Sequence, residues 1–167
     1  IRGLTMTRCY IGLGSNLGEP LANVSSALRQ LAQADGVELK AVSRFFTSKP
    51  MGPQDQPDYV NAVAAIDTTL PAEDLLQVLF AIERTHGRIR DASLRWGPRT
   101  LDMDMLLYGD TCIDSHTLRI PHPGLCERSF VVLPLMDIAP HLILPNGLAL
   151  SACLATLACD DLTPVAV

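Results

Sequence analysis

Residues 95–108 read Arg95-Trp-Gly-Pro-Arg-Thr-Leu-Asp-Met-Asp-Met-Leu-Leu-Tyr108. From residue 101 to residue 107, apolar residues alternate with Asp102 and Asp104, and this period predicts a strand with one apolar face. Side chains two residues apart on a strand share a face and lie about 7 Å apart. Both aspartates should therefore project together. Two carboxylates this close repel each other, and burying them without a positive partner is costly, so we expect a cation beside them.

The positive partner has two interpretations, which the residues alone leave open. The aspartates could be the solvated face of an edge strand, paired with nearby arginines, since a bare Asp-x-Asp is a weak motif. Alternatively, a polyphosphate could share Mg²⁺ with the aspartates while arginines, whose rigid forks suit phosphate, hold the remaining oxygens. The chain has thirteen basic residues, and five of them lie within sixteen positions: Arg84, Arg88, Arg90, Arg95 and Arg99.

Composition narrows the class of protein. The chain has 167 residues, and its 48% hydrophobic and 19% charged content is typical of a globular protein with one core. A net charge of -5 argues against a general nucleic-acid or membrane-surface binder. The five cysteines contain no Cys-x-x-Cys pair and are interpreted as small buried apolar residues in a reducing compartment. We expect a cytoplasmic protein with a single domain over residues 7–160, preceded by a disordered or non-native segment, 1–6.

The periodicity predicts strands at 8–14, 37–48, 59–68, 101–107 and 118–120, and helices at about 20–35 and 70–86, with short helices from Ser129 and at 150–157. Ser15 or Asn16 is expected to cap the first helix, and Ser129 the third. This order favours an α+β fold, a ferredoxin-like layer of helices on a mostly antiparallel sheet with a short helical C-terminal tail. A doubly wound sheet is the alternative, but no crossover helix separates strands 37–48 and 59–68.

Four stretches resemble one family in their order and spacing. They are Tyr10-Ile-Gly-Leu-Gly-Ser-Asn-Leu-Gly18, the loop from Pro50 to Ala62, the segment from Arg95 to Tyr108, and Ile120-Pro-His-Pro123 with Arg128 and Phe130. Over about residues 9 to 140, the chain resembles 6-hydroxymethyl-7,8-dihydropterin pyrophosphokinase. The resemblance implies diphosphoryl transfer from ATP to the hydroxymethyl oxygen of a reduced pterin, with release of AMP, on the folate route.

The resemblance also implies roles for individual residues. Asp102 and Asp104 would bind two Mg²⁺ that bridge the ATP phosphates, and Arg88 and Arg99 would clamp those phosphates as catalytic residues. The nucleotide side would include Glu83, Arg90, Trp96 and His122. The pterin side would include Gly14, Ser48, Met51, Tyr59, Asn61, Arg128 and Phe130.

A flat heteroaromatic ring suits an aromatic face together with an amide for its edge, which fits Tyr59, Asn61 and Phe130. The chain departs from the family pattern at Ser48-Lys49-Pro50-Met51, and at Phe80, where some relatives carry a polar residue. The loops 49–58 and 88–97 are expected to act as lids that order only when nucleotide and pterin are both bound. The partners would be the two substrates, with no nucleic acid and no membrane, and the protein would be a monomer.

Two rival functions remain at this point. An Asp-x-Asp transferase that uses nucleotide-sugars would share the metal site, but it would not explain Asn61, Phe130 and the Pro-His-Pro turn. A non-catalytic binding module would share the fold, but it would not explain why the carboxylates and arginines are present. The identity of the donor and the release of AMP separate these possibilities.

Overall fold

The main sheet has six strands, and every pairing between them is antiparallel. A computed structural model describes residues 5–49, 56–87 and 100–165. The strands are β1 Thr7–Ser15, β2 Val37–Val42, β3 Phe46–Ser48, β4 Tyr59–Thr68, β5 Asp102–Tyr108 and β8 Thr163–Pro164, and β6 Ile113–Asp114 with β7 Arg119–Ile120 forms a separate pair. The sheet order is β5-β1-β4-β3-β8, and β2 pairs with the half of β4 that ends at Thr68.

Helix α2 (Ala72–Thr85) begins where the sequence provides the signals. In α2, Pro71 precedes the first turn, Glu73 and Asp74 lie at its positive end, and Leu75 and Leu79 point into the core. The α+β prediction of helices on an antiparallel sheet is confirmed. The helices are α1 Pro20–Gln33, α2 Ala72–Thr85, α3 Ser129–Ile138 and α4 Leu150–Ala155, with a short 3₁₀ helix at Leu125–Glu127.

Helices cover both faces of the sheet. On one face α1 and α2 pack over side chains such as Ile11 and Met103. On the other face α3 and α4 pack over Val63 and Leu106. The C-terminal helices therefore form a second layer over the sheet. Helix α3 can do so because it is apolar, and it buries Val131, Val132 and Leu135. Among the helices of the described residues, none is both long enough and apolar enough to cross a bilayer.

The prediction of one continuous strand over 37–48 is wrong, because the structure divides this segment into β2 and β3. Ser43 interrupts the strand: its amide donates to the carbonyl of Val63 (2.9 Å), and its hydroxyl accepts from the amide of Val63 (2.9 Å). The side chain thus takes a place in the pairing that the backbone would otherwise fill. The break leaves Phe46 opposite Asn61 and Ser48 opposite Tyr59.

Both capping predictions are wrong. Glu19 occupies the cap position of α1 and Arg128 that of α3, and neither makes a side-chain capping bond.

Strand β8 was not predicted, because Pro164 weakens the strand signal; at an edge, however, a proline is tolerated. The cysteine prediction holds for Cys9 and Cys153, which are buried, whereas Cys112 is exposed. A single domain over 7–160 stays a prediction, and β8 lies beyond its expected end.

Candidate active site

The two aspartates lie at the start of β5, on the face that the alternation predicts. Asp102 pairs with Gly14 and Asp104 with Gly12 across β1, and both side chains are partly exposed. Met103, between them, is 1% exposed and belongs to the core cluster under α2. Because glycine has no side chain, the two partners on β1 leave space beside the carboxylates. The strand therefore presents two acids to a cavity and one apolar residue to the core.

The first cavity brings together residues from β1, β3, β4, β5 and the start of α3. Of the residues predicted for the pterin side, all that the structure describes line it. Asp102 and Asp104 line the same cavity. Its walls are Gly12, Leu13, Gly14, Ser48, Lys49, Tyr59, Asn61, Ala62, Asp102, Asp104, Leu106, Arg128, Phe130 and Val131.

Asn61 is held in one orientation at the floor of this cavity. It is 3% exposed, and its Nδ2 donates to Ser48 Oγ over 2.7 Å. A Cβ atom placed on Gly14 would lie 3.3 Å from Asn61 Oδ1 and 3.6 Å from the Tyr59 ring. The absence of a side chain at Gly14 therefore keeps the space between the amide and the aromatic ring open.

Arg128 brings positive charge to the same cavity. It has extended backbone (φ -116°, ψ 110°) immediately before α3, and its Cζ lies 5.9 Å from the centroid of the Phe130 ring. Its guanidinium packs on Gly124, where an added Cβ would approach Arg128 Nε to 2.5 Å. A guanidinium in the same cavity as two carboxylates can reduce their repulsion and can also bind an anionic ligand.

His122 adjoins the aspartates from the other side. Its backbone amide donates to the carbonyl of Leu106 over 3.0 Å, and its Nε2 lies 4.0 Å from Asp104 Oδ1. Burial lowers the pKa of His122 below 6.5, and the charge of Arg128 lowers it further, while Asp102 opposes the shift. The Gly124 amide donates to Nδ1 over 3.0 Å. A neutral ring therefore carries its proton on Nε2, beside Asp104.

A second cavity opens on the other side of Asp104. His122 lines it together with side chains from α2, β5 and the turn before β7, and Asp104 is a wall of both cavities. The two spaces thus meet at one carboxylate. The lining of the second cavity is Leu76, Phe80, Met103, Asp104, Met105, Ser115, His116, Thr117, Leu118, Arg119, His122 and Pro123.

Glu83, predicted to contact the nucleotide, lines neither cavity. It lies on α2 and is 1% exposed. Its Oε2 accepts a hydrogen bond from the Met103 backbone amide over 2.8 Å. The structure therefore places this carboxylate against the strand that carries the aspartates, and its role toward a nucleotide stays a prediction.

One polar network was missed by the sequence reasoning, which interpreted Ser15 and Asn16 as helix caps. Asn16 Nδ2 donates to Gln56 Oε1 (3.0 Å) and to the Pro57 carbonyl (2.8 Å). Asn23 Nδ2 donates to Ser15 Oγ (3.2 Å) and to the Thr100 carbonyl (3.2 Å). The network thus holds Gln56 and Pro57, near the end of the first predicted lid, and Thr100, which follows the second. Polar residues directly after a buried strand were the available signal.

Several predicted site residues lie outside the described residues, and so do residues 50–55 of the first predicted lid and the whole of the second. The site residues among them are Met51, Arg88, Arg90, Trp96 and Arg99, together with Arg95. Within the described ranges, no group of three or more His, Cys, Asp or Glu side chains could hold a metal ion. Two carboxylates with a ligand's own oxygens would therefore be the donors that this part of the chain offers to a hard cation.

Comparison with known proteins gives a consistent result over most of the chain. A family model described as 7,8-dihydro-6-hydroxymethylpterin-pyrophosphokinase matches residues 10–140. The chain is 49% identical over 148 residues to the 2-amino-4-hydroxy-6-hydroxymethyldihydropteridine pyrophosphokinase of Pseudomonas aeruginosa, covering 89% of this chain and 90% of that protein. The protein of the same name from Haemophilus influenzae is 49% identical over 142 residues, covering 85% and 88%.

Solved structures support the fold. A Plasmodium falciparum HPPK-DHPS variant crystallised with pteroate superposes with a TM-score of 0.70 at 10% identity, over 93% of this chain. This chain spans 41% of that longer protein. An HPPK-DHPS in complex with substrates gives a TM-score of 0.71, over 90% of this chain and 43% of that one. At these identities the likeness concerns the fold, whereas the sequence matches decide the family: the chain belongs to the 7,8-dihydro-6-hydroxymethylpterin-pyrophosphokinase family.

Proposed function

We propose that the protein transfers diphosphate from ATP to the hydroxymethyl group of 6-hydroxymethyl-7,8-dihydropterin and releases AMP, as a step of tetrahydrofolate biosynthesis. One observation carries the proposal: Asp104 is a shared wall of two adjoining cavities, of which the first has an amide and aromatic rings and the second has His122. A transfer between two bound molecules needs their reacting atoms to meet in a fixed geometry. The shared carboxylate marks that meeting point.

The first cavity suits the pterin. Tyr59 and Phe130 offer aromatic faces to a flat ring, and the fixed amide of Asn61 can read donors and acceptors on its edge. Ser48 fixes that amide by accepting from Nδ2, and Gly14 leaves the space that the ring would occupy. We place Met51 on this side also, from the resemblance.

The carboxylate pair suits Mg²⁺. This ion prefers oxygen donors and is typically bound by one or two carboxylates together with substrate phosphates and water. Asp102 and Asp104 would supply the carboxylates, and Arg128 in the same cavity would pair with a phosphate. Two Mg²⁺, when bound, would neutralise phosphate charge and align the attacking alcohol with the phosphorus atom. The chain's own contribution is to hold both acids on one face of β5.

The second cavity suits the nucleotide. Neutral His122 presents an Nε2 proton that can be donated to an ATP oxygen, while its Nδ1 is held by the Gly124 amide. Arg128 can pair with a phosphate from the pterin side. Arg88 and Arg99 are proposed as phosphate clamps, and Arg90 and Trp96 as closing elements over the nucleotide.

We also propose that the protein acts as a cytoplasmic monomer whose partners are the two small substrates. Neither nucleic acid nor a membrane is a proposed partner. An acidic chain, of net charge -5, that has five arginines within residues 84–99 favours a local anionic ligand over a long polyanion.

An assay of AMP release tests the proposed function. Purified protein is incubated with ATP, Mg²⁺ and the hydroxymethyl pterin, and AMP and the diphosphorylated pterin are quantified together. We expect equimolar formation of both products, and none when the pterin or Mg²⁺ is omitted. A panel of nucleotide-sugar donors serves as the comparison. Turnover of a nucleotide-sugar, or binding of both substrates without any AMP, would contradict the proposal.

A further inference from the structure

Among the strands of the described residues, β5 lies at the edge of the main sheet, with β1 as its sheet neighbour. Alternate backbone amides on such a strand face away from the sheet and need another partner. Asp102 is the first residue of β5 and Asp104 the third. The two acids thus lie where pairing of a strand is weakest and where local opening costs least.

The Met103 amide between them has a partner on helix α2. Glu83 Oε2 accepts from this amide over 2.8 Å, and a hydrogen bond to a charged acceptor is about twice as strong as a neutral one. Burying a carboxylate costs free energy unless it is hydrogen-bonded, and Glu83 is 1% exposed. This bond therefore satisfies one oxygen of a buried carboxylate and links α2 to β5.

We propose that Glu83 is a positioning residue, which fixes the Met103 backbone and thereby sets the relative placement of the Asp102 and Asp104 carboxylates. Among the described residues it lines neither cavity, and the role proposed here is exerted through β5. This inference rests on the proposed function only in what the carboxylate pair does. The tie between helix and strand is a property of the ligand-free protein and can be measured there.

The first test is amide hydrogen exchange of Met103, followed by NMR in the absence of ligands. In Glu83→Ala we expect this amide to exchange about 10- to 100-fold faster than in the unmodified protein, since a charged hydrogen bond is lost. In Glu83→Gln, the side-chain carbonyl can still accept the bond, so protection should stay within a few-fold. Asp74→Ala is the matched control, because it removes an exposed acid from the same helix. Unchanged protection in Glu83→Ala would overturn the proposal.

The second test separates positioning from direct charge. Glu83→Ala is expected to weaken the apparent Mg²⁺ affinity and to lower kcat by about 10-fold or more, with the KM for the pterin little changed. Glu83→Gln should recover most of both. If Glu83→Ala does not fold, as checked by thermal unfolding, Glu83→Gln decides alone. A Gln variant that keeps Met103 protection but loses turnover would show that the charge itself is used, and would overturn the proposal.

The two tests also distinguish this inference from the proposed function. If the unmodified protein releases no AMP, the proposed function fails, while the exchange experiment still reports whether Glu83 ties α2 to β5. If AMP is released but Met103 is unaffected by Glu83→Ala, the positioning role fails alone.

Discussion

The two faces of strand β5 have opposite environments although their residues alternate along one short segment. Met103 and Met105 are 1% and 3% exposed and belong to the core cluster under α2. Asp102 and Asp104 face a cavity, and the side chain of Asp104 is 35% exposed. Strand geometry thus places core side chains and cavity carboxylates one residue apart, although Met103 and Met105 also reach the wall of the second cavity. Substitution of a core residue that lines neither cavity should leave activity largely intact, and substitution of the carboxylates should leave stability largely intact.

The most severe effect on activity is expected at the acidic face. In Asp102→Ala and Asp104→Ala, turnover should fall by about 10³-fold or more, because the proposed metal loses a carboxylate and transition-state charge is no longer neutralised. Folding should be retained, since both side chains are partly exposed. Steady-state kinetics and denaturant unfolding of each variant measure the two effects separately.

Asp110→Ala is the matched control, because this exposed aspartate follows β5 in a turn and lines neither cavity. It should keep both activity and stability. Pterin affinity, measured by calorimetry, should change little in the Asp102 and Asp104 variants. A loss of folding as large as the loss of turnover would show that the two faces are not separable.

The apolar face should give the reverse pattern. Leu101 serves for this test, because it is fully buried directly before β5 and lines neither cavity, whereas Met103 and Met105 also line the second cavity. Leu101→Ala is expected to lower the free energy of unfolding by about 2–5 kcal/mol, because it leaves a cavity in a packed core. Leu101→Met, which nearly conserves volume, should lower it by less than about 1.5 kcal/mol. Equilibrium urea unfolding provides the measurement. If the folded Leu101→Ala enzyme lost turnover as completely as the aspartate variants, the separation of the faces would be refuted.

Asn61 extends the comparison to the pterin side of the first cavity. In Asn61→Ala the KM for the pterin should rise about 10- to 100-fold, because hydrogen-bonding groups of the ring edge would be left without partners. The KM for ATP should change little, since Asn61 does not line the second cavity. Initial-rate kinetics with each substrate varied in turn would show this. An equal rise in both KM values would argue against separate subsites.

The smallest effect is expected at His122, and it is an effect on how the free energy of unfolding depends on pH. Its pKa is lowered in the folded protein, first by burial and then by Arg128. The unfolded chain therefore binds this proton more readily, so stability falls as the pH decreases through about 6.5. NMR titration of the His122 ring should give a midpoint below 6.5, and the pH dependence of unfolding should weaken in His122→Gln. A midpoint above 6.5 would contradict the assigned environment.

Strong, regular patterns were predictable from the sequence, and local hydrogen bonding was not. Strand β4 matches its prediction at 59–68, and α2 differs from 70–86 only at its ends, because both have long apolar periodicities. The break at Ser43 depends on a hydroxyl bonded to a distant amide, which no local period reveals. The same reason explains the wrong caps, because Asn16 binds Gln56 forty positions away.

For the candidate site, too, the regular features could be predicted from the sequence and the long-range hydrogen bonds could not. The shared face of Asp102 and Asp104 follows from strand period, and the family resemblance supplied Tyr59, Asn61 and Phe130, which the structure brings to the same cavity. The contact of Glu83 with the Met103 amide could not be predicted, because it depends on how α2 crosses the edge of the sheet. A polar residue on an apolar helix face was the available signal, but it did not identify the partner.

A crystal structure with Mg²⁺, a non-hydrolysable ATP analogue and the hydroxymethyl pterin would test the proposed meeting of the two substrates. We predict that the phosphates reach the carboxylate pair and that Mg²⁺ lies about 2.0–2.1 Å from oxygens of both Asp102 and Asp104. The pterin ring should lie in the first cavity against Asn61, with its hydroxymethyl group turned toward Asp104. Phosphates bound with Mg²⁺ held by other groups, and both carboxylates without a metal contact, would contradict the account.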